Sequence, residues 1–317
     1  MFFGLPDAAL ALRDGLREVL SSACSPAVIR AAWDGDPCEP LWKTLGSFGL
    51  PGLLVAEDHG GLGLDELSFA AALEESGWHG VPGPLVETTA YLPVLDLPAD
   101  GSARLAVQRV GVTNVVYAQV ATHIVRPFEV GAAGDASPVA TVDRSRGMGA
   151  LGATPTLSIV AEERYDEFAR AGLRATLGTA AFLLGLARRQ LDLTVAYVKD
   201  RKQFGAPIGS FQAVKHPLAD AVVGTEFAWP AVLRAAYSMV TDDPDAALHV
   251  SMAKAVASDA AYAMSRVCLQ AHGAMGYTVE YDLHLFMKRT WALANDWGTA
   301  REHRAIVART ILERTTA

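Results

Sequence analysis

The sequence is poor in the residues that build disulfide or metal frameworks. Cys24, Cys38 and Cys268 are its three cysteines among 317 residues, and no two stand at CxxC spacing. So sparse and odd a set argues against a disulfide scaffold and against a zinc site, and points to a reducing compartment, with the cytoplasm as the expected location. The eight histidines show neither H-x-x-x-H nor H-x-E spacing, so no metal site is expected. Basic charge is also scarce. Lys and Arg number 27 against 35 Asp and Glu, for a net charge of -8. With no cationic excess to neutralise phosphates, nucleic acid is excluded as a partner. Long apolar runs are missing too: charge or glycine breaks each stretch well short of the roughly 20 residues that span a bilayer. The N-terminal segment carries Asp7, Arg13, Asp14 and Arg17 among its apolar residues. It therefore reads as an amphipathic helix, not a signal peptide, and no membrane association is expected. No serine sits in a G-x-S-x-G elbow. Gly60-Gly61-Leu62-Gly63 lacks the preceding strand and third glycine of a dinucleotide loop, and reads as a turn.

What remains is a globular composition, 51% hydrophobic and 20% charged, with material for a sizeable core. Its order along the chain is helix, strand, helix. Residues 1–100 read as helical hairpins. Pro6 and Asp7 open a helix with apolar Leu10, Leu12, Leu16 and Leu20. A second helix runs from Glu39 to Phe48 and stops at Gly49, and a third from Leu64 to Gly77 has Asp65 as its cap. Residues 101–163 hold closely spaced β-branched residues (Val110, Val112, Val115, Val116, Val120, Ile124, Val125) among Gly, Pro, Asn and Asp clusters, enough for four to six strands. Residues 164–317 return to long helices: Arg174–Lys199, Phe211–Val240 disturbed by Pro217 and Pro230, Asp245–His272, Asp282–Leu293 and Gly298–Ile311. Short connections between them predict a four-helix bundle. The fold class is mostly α with a small β insert.

Two segments carry candidate chemistry. In Tyr197-Val198-Lys199-Asp200-Arg201-Lys202-Gln203-Phe204-Gly205, Arg201 suits a phosphate and Phe204 suits a flat ring. The same residues also suit a plain helix C-terminus with a glycine cap. In Gln270-Ala271-His272-Gly273-Ala274-Met275-Gly276-Tyr277, two glycines near a helix end let backbone N–H groups approach a pyrophosphate, or simply stop the helix. His216, before Pro217, reads as structural. The pairs Arg188-Arg189, Arg144/Arg146 and Asp242-Asp243 read as solvated faces or turns.

Taken together, R-x-x-F-G-x-x-I-x-x-x-Q from Arg201 to Gln212 and Q-x-x-G-x-x-G-Y from Gln270 to Tyr277 resemble the acyl-CoA dehydrogenase family. The similarity extends upstream to Leu41-Trp42-x-x-Leu45-Gly46-x-Phe48-Gly49-Leu50 and to Glu57-Asp58-His59-Gly60-Gly61-Leu62-Gly63. Pro82-Gly83-Pro84 with Glu87-Thr88 is similar to a stretch of its actinobacterial, steroid-degrading members. The resemblance implies an N-terminal helical domain, a β middle domain (here truncated), and a C-terminal four-helix bundle, with FAD held across a subunit interface. It further implies that Arg201, Phe204 and Gln212 contact the ADP part of a FAD bound mainly by a neighbour. Gln270 and Gly273 would meet its pyrophosphate and adenosine, and Thr299 would lie near the flavin that this chain's own bundle faces.

The departures from the family pattern matter as much. The family's Y-E-G-T glutamate falls on Trp297, in Asn295-Asp296-Trp297-Gly298-Thr299, and an indole donates but cannot accept a proton. The alternative base position falls on Ala175. Asp296 and Glu163 remain as fallback carboxylates, although a one-residue shift turns a helical side chain by about 100°. No T-E-P-x-x-G-S-D-like segment lies between Gly101 and Glu163. The chain thus resembles the shorter, non-catalytic subunit of a heteromeric (α2β2) steroid-CoA dehydrogenase, whose catalytic partner supplies the base and the flavin grip. The resemblance implies FAD as cofactor, an acyl-CoA substrate, and an electron-transfer flavoprotein as a possible acceptor. A self-sufficient homo-oligomeric dehydrogenase, a non-enzymatic scaffold and a monooxygenase-like activity stand as alternatives.

Overall fold

The computed structural model describes residues 4–152 and 157–316. Five helices come first: α1 (Asp7–Ala23), α2 (Pro26–Trp33), α3 (Glu39–Phe48), α4 (Glu66–His79) and α5 (Leu85–Tyr91). α1 buries Leu16 and Leu20, and each such burial contributes roughly 1.5–3 kcal/mol. α3 ends on Gly49 in the left-handed conformation, as its sequence predicts. The Asp65 carboxylate caps α4 by accepting from the Ser68 N–H at 2.9 Å. The short helices α2 and α5 were not anticipated. α2 is only eight residues long, too short for its apolar face to register as a period, and α5 is buried along its whole length and shows no polar face.

The insert contains seven strands among the described residues, each of two to four residues: β1 (Leu105–Val107), β2 (Asn114–Val115), β3 (His123–Arg126), β4 (Glu129–Ala132), β5 (Ala136–Pro138), β6 (Gly149–Leu151) and β7 (Ser158–Ile159). They are more numerous and shorter than predicted. One sheet has the order β1-β3-β4-β7 and the other β2-β6-β5. Only β1–β3 is parallel among these pairings. A small core of its own (Ala106, Val115, Tyr117, Ala118, Ile124) holds the insert together.

The bundle follows: α6 (Tyr165–Asp200), a hairpin of β8 (Lys202–Gln203) and β9 (Ala206–Pro207), then α7 (Gln212–Val240), α8 (Ala246–His272), α9 (Leu283–Asn295) and α10 (Ala300–Thr316). Helices α6 to α9 pack together, and α10 lies against α8. α6 starts nine residues earlier than its apolar face suggests. Asp166 and Glu167 favour a helix N-terminus there, and Phe168 and Ala171 extend the buried stripe. α7 runs unbroken through Pro217 and Pro230. Both prolines lie on the exposed side, as do Ala213 and Glu226, whose carbonyls lose their helical donors, so water can satisfy those oxygens.

α4 is nearly enclosed by α1, α6 and α7. Its three buried carboxylates each meet an arginine: Glu66 with Arg170 at 2.9 Å, Glu74 with Arg188 at 2.8 Å and Glu75 with Arg17 at 2.8 Å. Arg188 therefore belongs to this lattice and not to a solvated face. Where α4 crosses α6 the backbones touch. A Cβ at Gly185 would stand 1.9 Å from the Glu74 carbonyl oxygen, so only glycine fits.

Candidate functional site

The predicted residues fall into two groups. The first lies at the end of the bundle where α6 and α8 stop and α7 begins. The Tyr197 ring stacks on His272 at 4.3 Å, which sets the end of α6 beside the end of α8. α6 stops at Arg201, whose backbone is extended. The glycine four residues later is therefore not a helix cap. Phe204 and Gly205 both have positive φ, 53° and 79°, and form the two-residue turn of the β8–β9 hairpin. A phenylalanine in the left-handed region costs on the order of 1–3 kcal/mol. The residue is 95% exposed, and its ring centroid lies 6.3 Å from that of Phe211. Arg201, Gln212 and Gln270 are exposed as well. Gly273 has φ 58° and ψ -135°, and nothing lies within 4 Å of where its Cβ would be. This end thus presents a cation, an aromatic face, two amides and bare backbone to the outside.

The second group surrounds the Asp296–Thr299 turn between α9 and α10. Lys254 lies near this turn and Gly273 lies 19 residues further along α8, a separation of about 28 Å at the helical rise. Thr299 is therefore far from the first group within this chain. Its hydroxyl accepts from the Glu302 N–H at 3.2 Å while Glu302 accepts from the Thr299 N–H at 2.7 Å, a reciprocal capping box that opens α10. Trp297 has φ 53° and Gly298 φ 99°. The turn is clamped from several sides. Lys254 donates to the carbonyls of Gly298 at 3.0 Å and Ala294 at 3.3 Å. His303 Nε2 donates to the Trp297 carbonyl at 2.9 Å.

Asp296 is buried, accepts from Arg146 and from the Trp297 backbone N–H at 3.2 Å, and forms an ion pair with Arg109 at 3.1 Å. Burial alone would raise its carboxyl, but Arg146, Arg109 and Lys254 hold it below the usual aspartate range. A carboxylate so paired is a poor proton acceptor. The Trp297 indole N–H donates to Glu87 at 3.3 Å. Burial, and then the nearby Asp296, push the Glu87 carboxyl up to about 7. Burial lowers the Lys254 amine to about 8. Ala175 is fully buried on α6, and Glu163 is exposed in the short turn before that helix. Arg146, read from sequence as part of a solvated pair, is 3% exposed. Sequence reasoning missed Arg146, Arg109 and Lys254 because Arg146 and Arg109 pair with Asp296, 150 and 187 residues away, and Lys254 bonds turn carbonyls 40 and 44 residues away. The only local signal was Asp143, which caps the short 144–146 turn and bonds Arg289 of α9.

A hollow of about 640 Å³ lies between the end of α2 and the insert, lined by Trp33, Gln119, Val120, Thr141 and Arg144 among others. Among the described residues no group of three or more His, Cys, Asp or Glu is placed to hold a metal ion. Among them too, no helix is long and apolar enough to cross a membrane.

This arrangement of helical domain, small insert and bundle has known counterparts. The family profile described as acyl-CoA dehydrogenase, N-terminal domain, matches residues 6–97, and that described as acyl-CoA dehydrogenase, C-terminal domain, matches residues 174–312. The chain belongs to the acyl-CoA dehydrogenase family. It is 33% identical over 308 residues to acyl-CoA dehydrogenase IpdE2 of Mycolicibacterium smegmatis, covering 92% of this chain and 94% of that one. It is 30% identical over 325 residues to FadE34 of Mycobacterium tuberculosis, covering 90% of this chain but 45% of that protein. The ChsE4–ChsE5 complex of Mycobacterium tuberculosis contains a chain of the same fold, with a TM-score of 0.83 at 24% identity over 99% of both chains. The Tcur3481–Tcur3483 steroid ACAD contains another, with a TM-score of 0.83 at 22% identity over 99% of this chain and 100% of that one.

The fold implies FAD, and the residues present fit only one end of it. The exposed Arg201, Phe204, Gln212, Gln270 and Gly273 suit a dinucleotide's phosphates and adenine. The Asp296–Thr299 turn, whose Asp296 carboxylate, Trp297 and Gly298 carbonyls and Thr299 N–H all take internal bonds, does not suit an isoalloxazine ring.

Proposed function

We propose that this chain is the non-catalytic subunit of a heteromeric, FAD-dependent acyl-CoA dehydrogenase, arranged α2β2 with a catalytic subunit. Residues 1–100, 101–163 and 164–317 form its helical, insert and bundle domains. The complex desaturates an acyl-CoA thioester between the α and β carbons. A bulky acyl group, such as a steroid side chain, is the substrate class, and an electron-transfer flavoprotein is the electron acceptor. FAD, when bound, supplies the oxidant. This chain contributes Arg201 and Phe204 to its ADP end, with Gln212, Gln270 and Gly273 beside them. The catalytic subunit supplies the carboxylate that removes the α-proton.

The observation that carries this reading is the contrast between the two ends of the bundle. A strained, solvent-exposed Phe204 has no use inside this chain, whereas both family base positions hold residues that accept no proton, Trp297 and Ala175. Two further observations support it. FadE34 matches this chain over 45% of its length, so more than half of that protein lies outside the match. ChsE4–ChsE5 and Tcur3481–Tcur3483 are pairs by name, and the latter is a steroid enzyme.

The test is to co-express the chain with its catalytic partner and measure FAD bound by the purified complex. Arg201→Ala and Phe204→Ala should each release flavin, and with it dehydrogenase activity, while the subunits stay assembled. Unchanged flavin content and activity in both variants would leave the chain a scaffold.

A further inference from the structure

The disagreement between the Asp296–Thr299 turn and the flavin that the fold implies has a structural cause. Three parts of the chain converge on this turn. α5 brings Glu87 and Tyr91, the insert brings Arg109, Tyr117 and Arg146, and α8 brings Lys254. The Arg146 guanidinium bonds Asp296 and lies 5.4 Å from the Tyr117 ring centroid. Trp297 is bracketed by the Tyr91 ring at 6.1 Å and the Arg109 guanidinium at 5.7 Å, with its indole N–H on Glu87. Lys254 spends its donors on Ser258 at 2.8 Å and on the Ala294 and Gly298 carbonyls. Glu87, Tyr91, Tyr117, Arg146, Lys254 and Asp296 are all buried.

We propose that this chain closes its own flavin-facing side with a plug, in which Arg146 of the insert and Trp297 of the α9–α10 turn are locked by Asp296, Arg109 and Glu87. Trp297, at the position of the family's base, acts as a wedge. Arg146 ties the insert to the bundle at the place where an isoalloxazine would have to part them. The proposal deepens the split-site reading and rests on it. Each pair of unlike chains then holds a single flavin, the partner's, because the second site is filled, and not merely because it lacks a base. A carboxylate at position 297 alone would not reopen it.

Hydrogen–deuterium exchange of the full chain, with and without riboflavin as a probe of the ring alone, tests the plug. Peptides covering 144–147 and 293–299 should exchange slowly, and riboflavin should neither bind saturably nor change them. Arg146→Ala should speed exchange in 293–299 at least tenfold, and the milder Arg109→Ala, at a half-exposed position, should do so to a smaller extent. Arg201→Ala should leave this region untouched. Saturable riboflavin binding that protects 293–299 in the unaltered chain would overturn the plug, as would unchanged exchange in a folded Arg146→Ala or Arg109→Ala chain. The split-site reading fails separately, if Arg201→Ala and Phe204→Ala do not release flavin from the complex.

Discussion

Replacing Glu87 by glutamine removes a titration while keeping an oxygen to accept the Trp297 indole N–H. Burial, together with Asp296, raises the Glu87 carboxyl from its ordinary 4.5 to about 7. The folded chain therefore binds this proton more tightly than the unfolded chain does. The stability this confers is fully present below pH 4.5 and is lost as pH rises through 7. At 1.36 kcal/mol per pH unit, the loss amounts to about 3 kcal/mol by pH 8. Glutamine cannot ionise, so Glu87→Gln should match the unaltered chain near pH 4.5 and exceed it by about 3 kcal/mol at pH 8. Asp296 does not confuse the comparison. Its carboxyl is held below its ordinary 3.8, so its contribution is lost only as pH falls below that window, and it is lost in both proteins alike. Urea unfolding at pH 4.5, 6, 7 and 8 gives the difference directly. A difference that stays within about 0.5 kcal/mol at every pH would show that Glu87 is neither buried nor coupled to Asp296, and the described packing of α5 against the turn would be wrong.

Other substitutions separate structural from binding roles. Gly185→Ala forces a methyl group into the Glu74 carbonyl and should destabilise the chain by about 1–3 kcal/mol or more, seen as a lower unfolding midpoint. Phe204→Ala should leave the stability of the separate chain within about 0.5 kcal/mol, because its ring is exposed and packs on little, while still costing flavin in the complex. Trp297→Glu should give no dehydrogenase activity in the separate chain assayed with acyl-CoA and an artificial acceptor, since it supplies a carboxylate without a flavin. Measurable turnover by that variant would contradict the plugged site. Glu302→Ala removes one half of the Thr299 capping box and should cost about 0.5–2 kcal/mol of stability without altering flavin content.

The bundle was legible because long amphipathic segments announce themselves by period, and α8 and α9 fall within two residues of their expected ends. α4 was placed by Asp65, a cap whose carboxylate sits where the sequence predicts. Local signals failed where burial is complete or pairing is distant. α5 shows no polar face, and the insert's two- to four-residue strands are too short for alternation to register. The Phe204-Gly205 pair was visible, but its role as a hairpin turn was not, because the strands flanking it are only two residues each. Arg146 is the clearest case. Beside Arg144 in sequence it resembles a solvated cation, and only the fold reveals that Asp296 waits 150 residues away.

The division of labour between two unlike chains is tested most directly by counting flavins. The chain co-purified with its catalytic partner should carry one FAD per pair of unlike chains, and the chain purified alone should carry none. A separately purified chain that holds one tightly bound FAD of its own and oxidises an acyl-CoA would contradict the account.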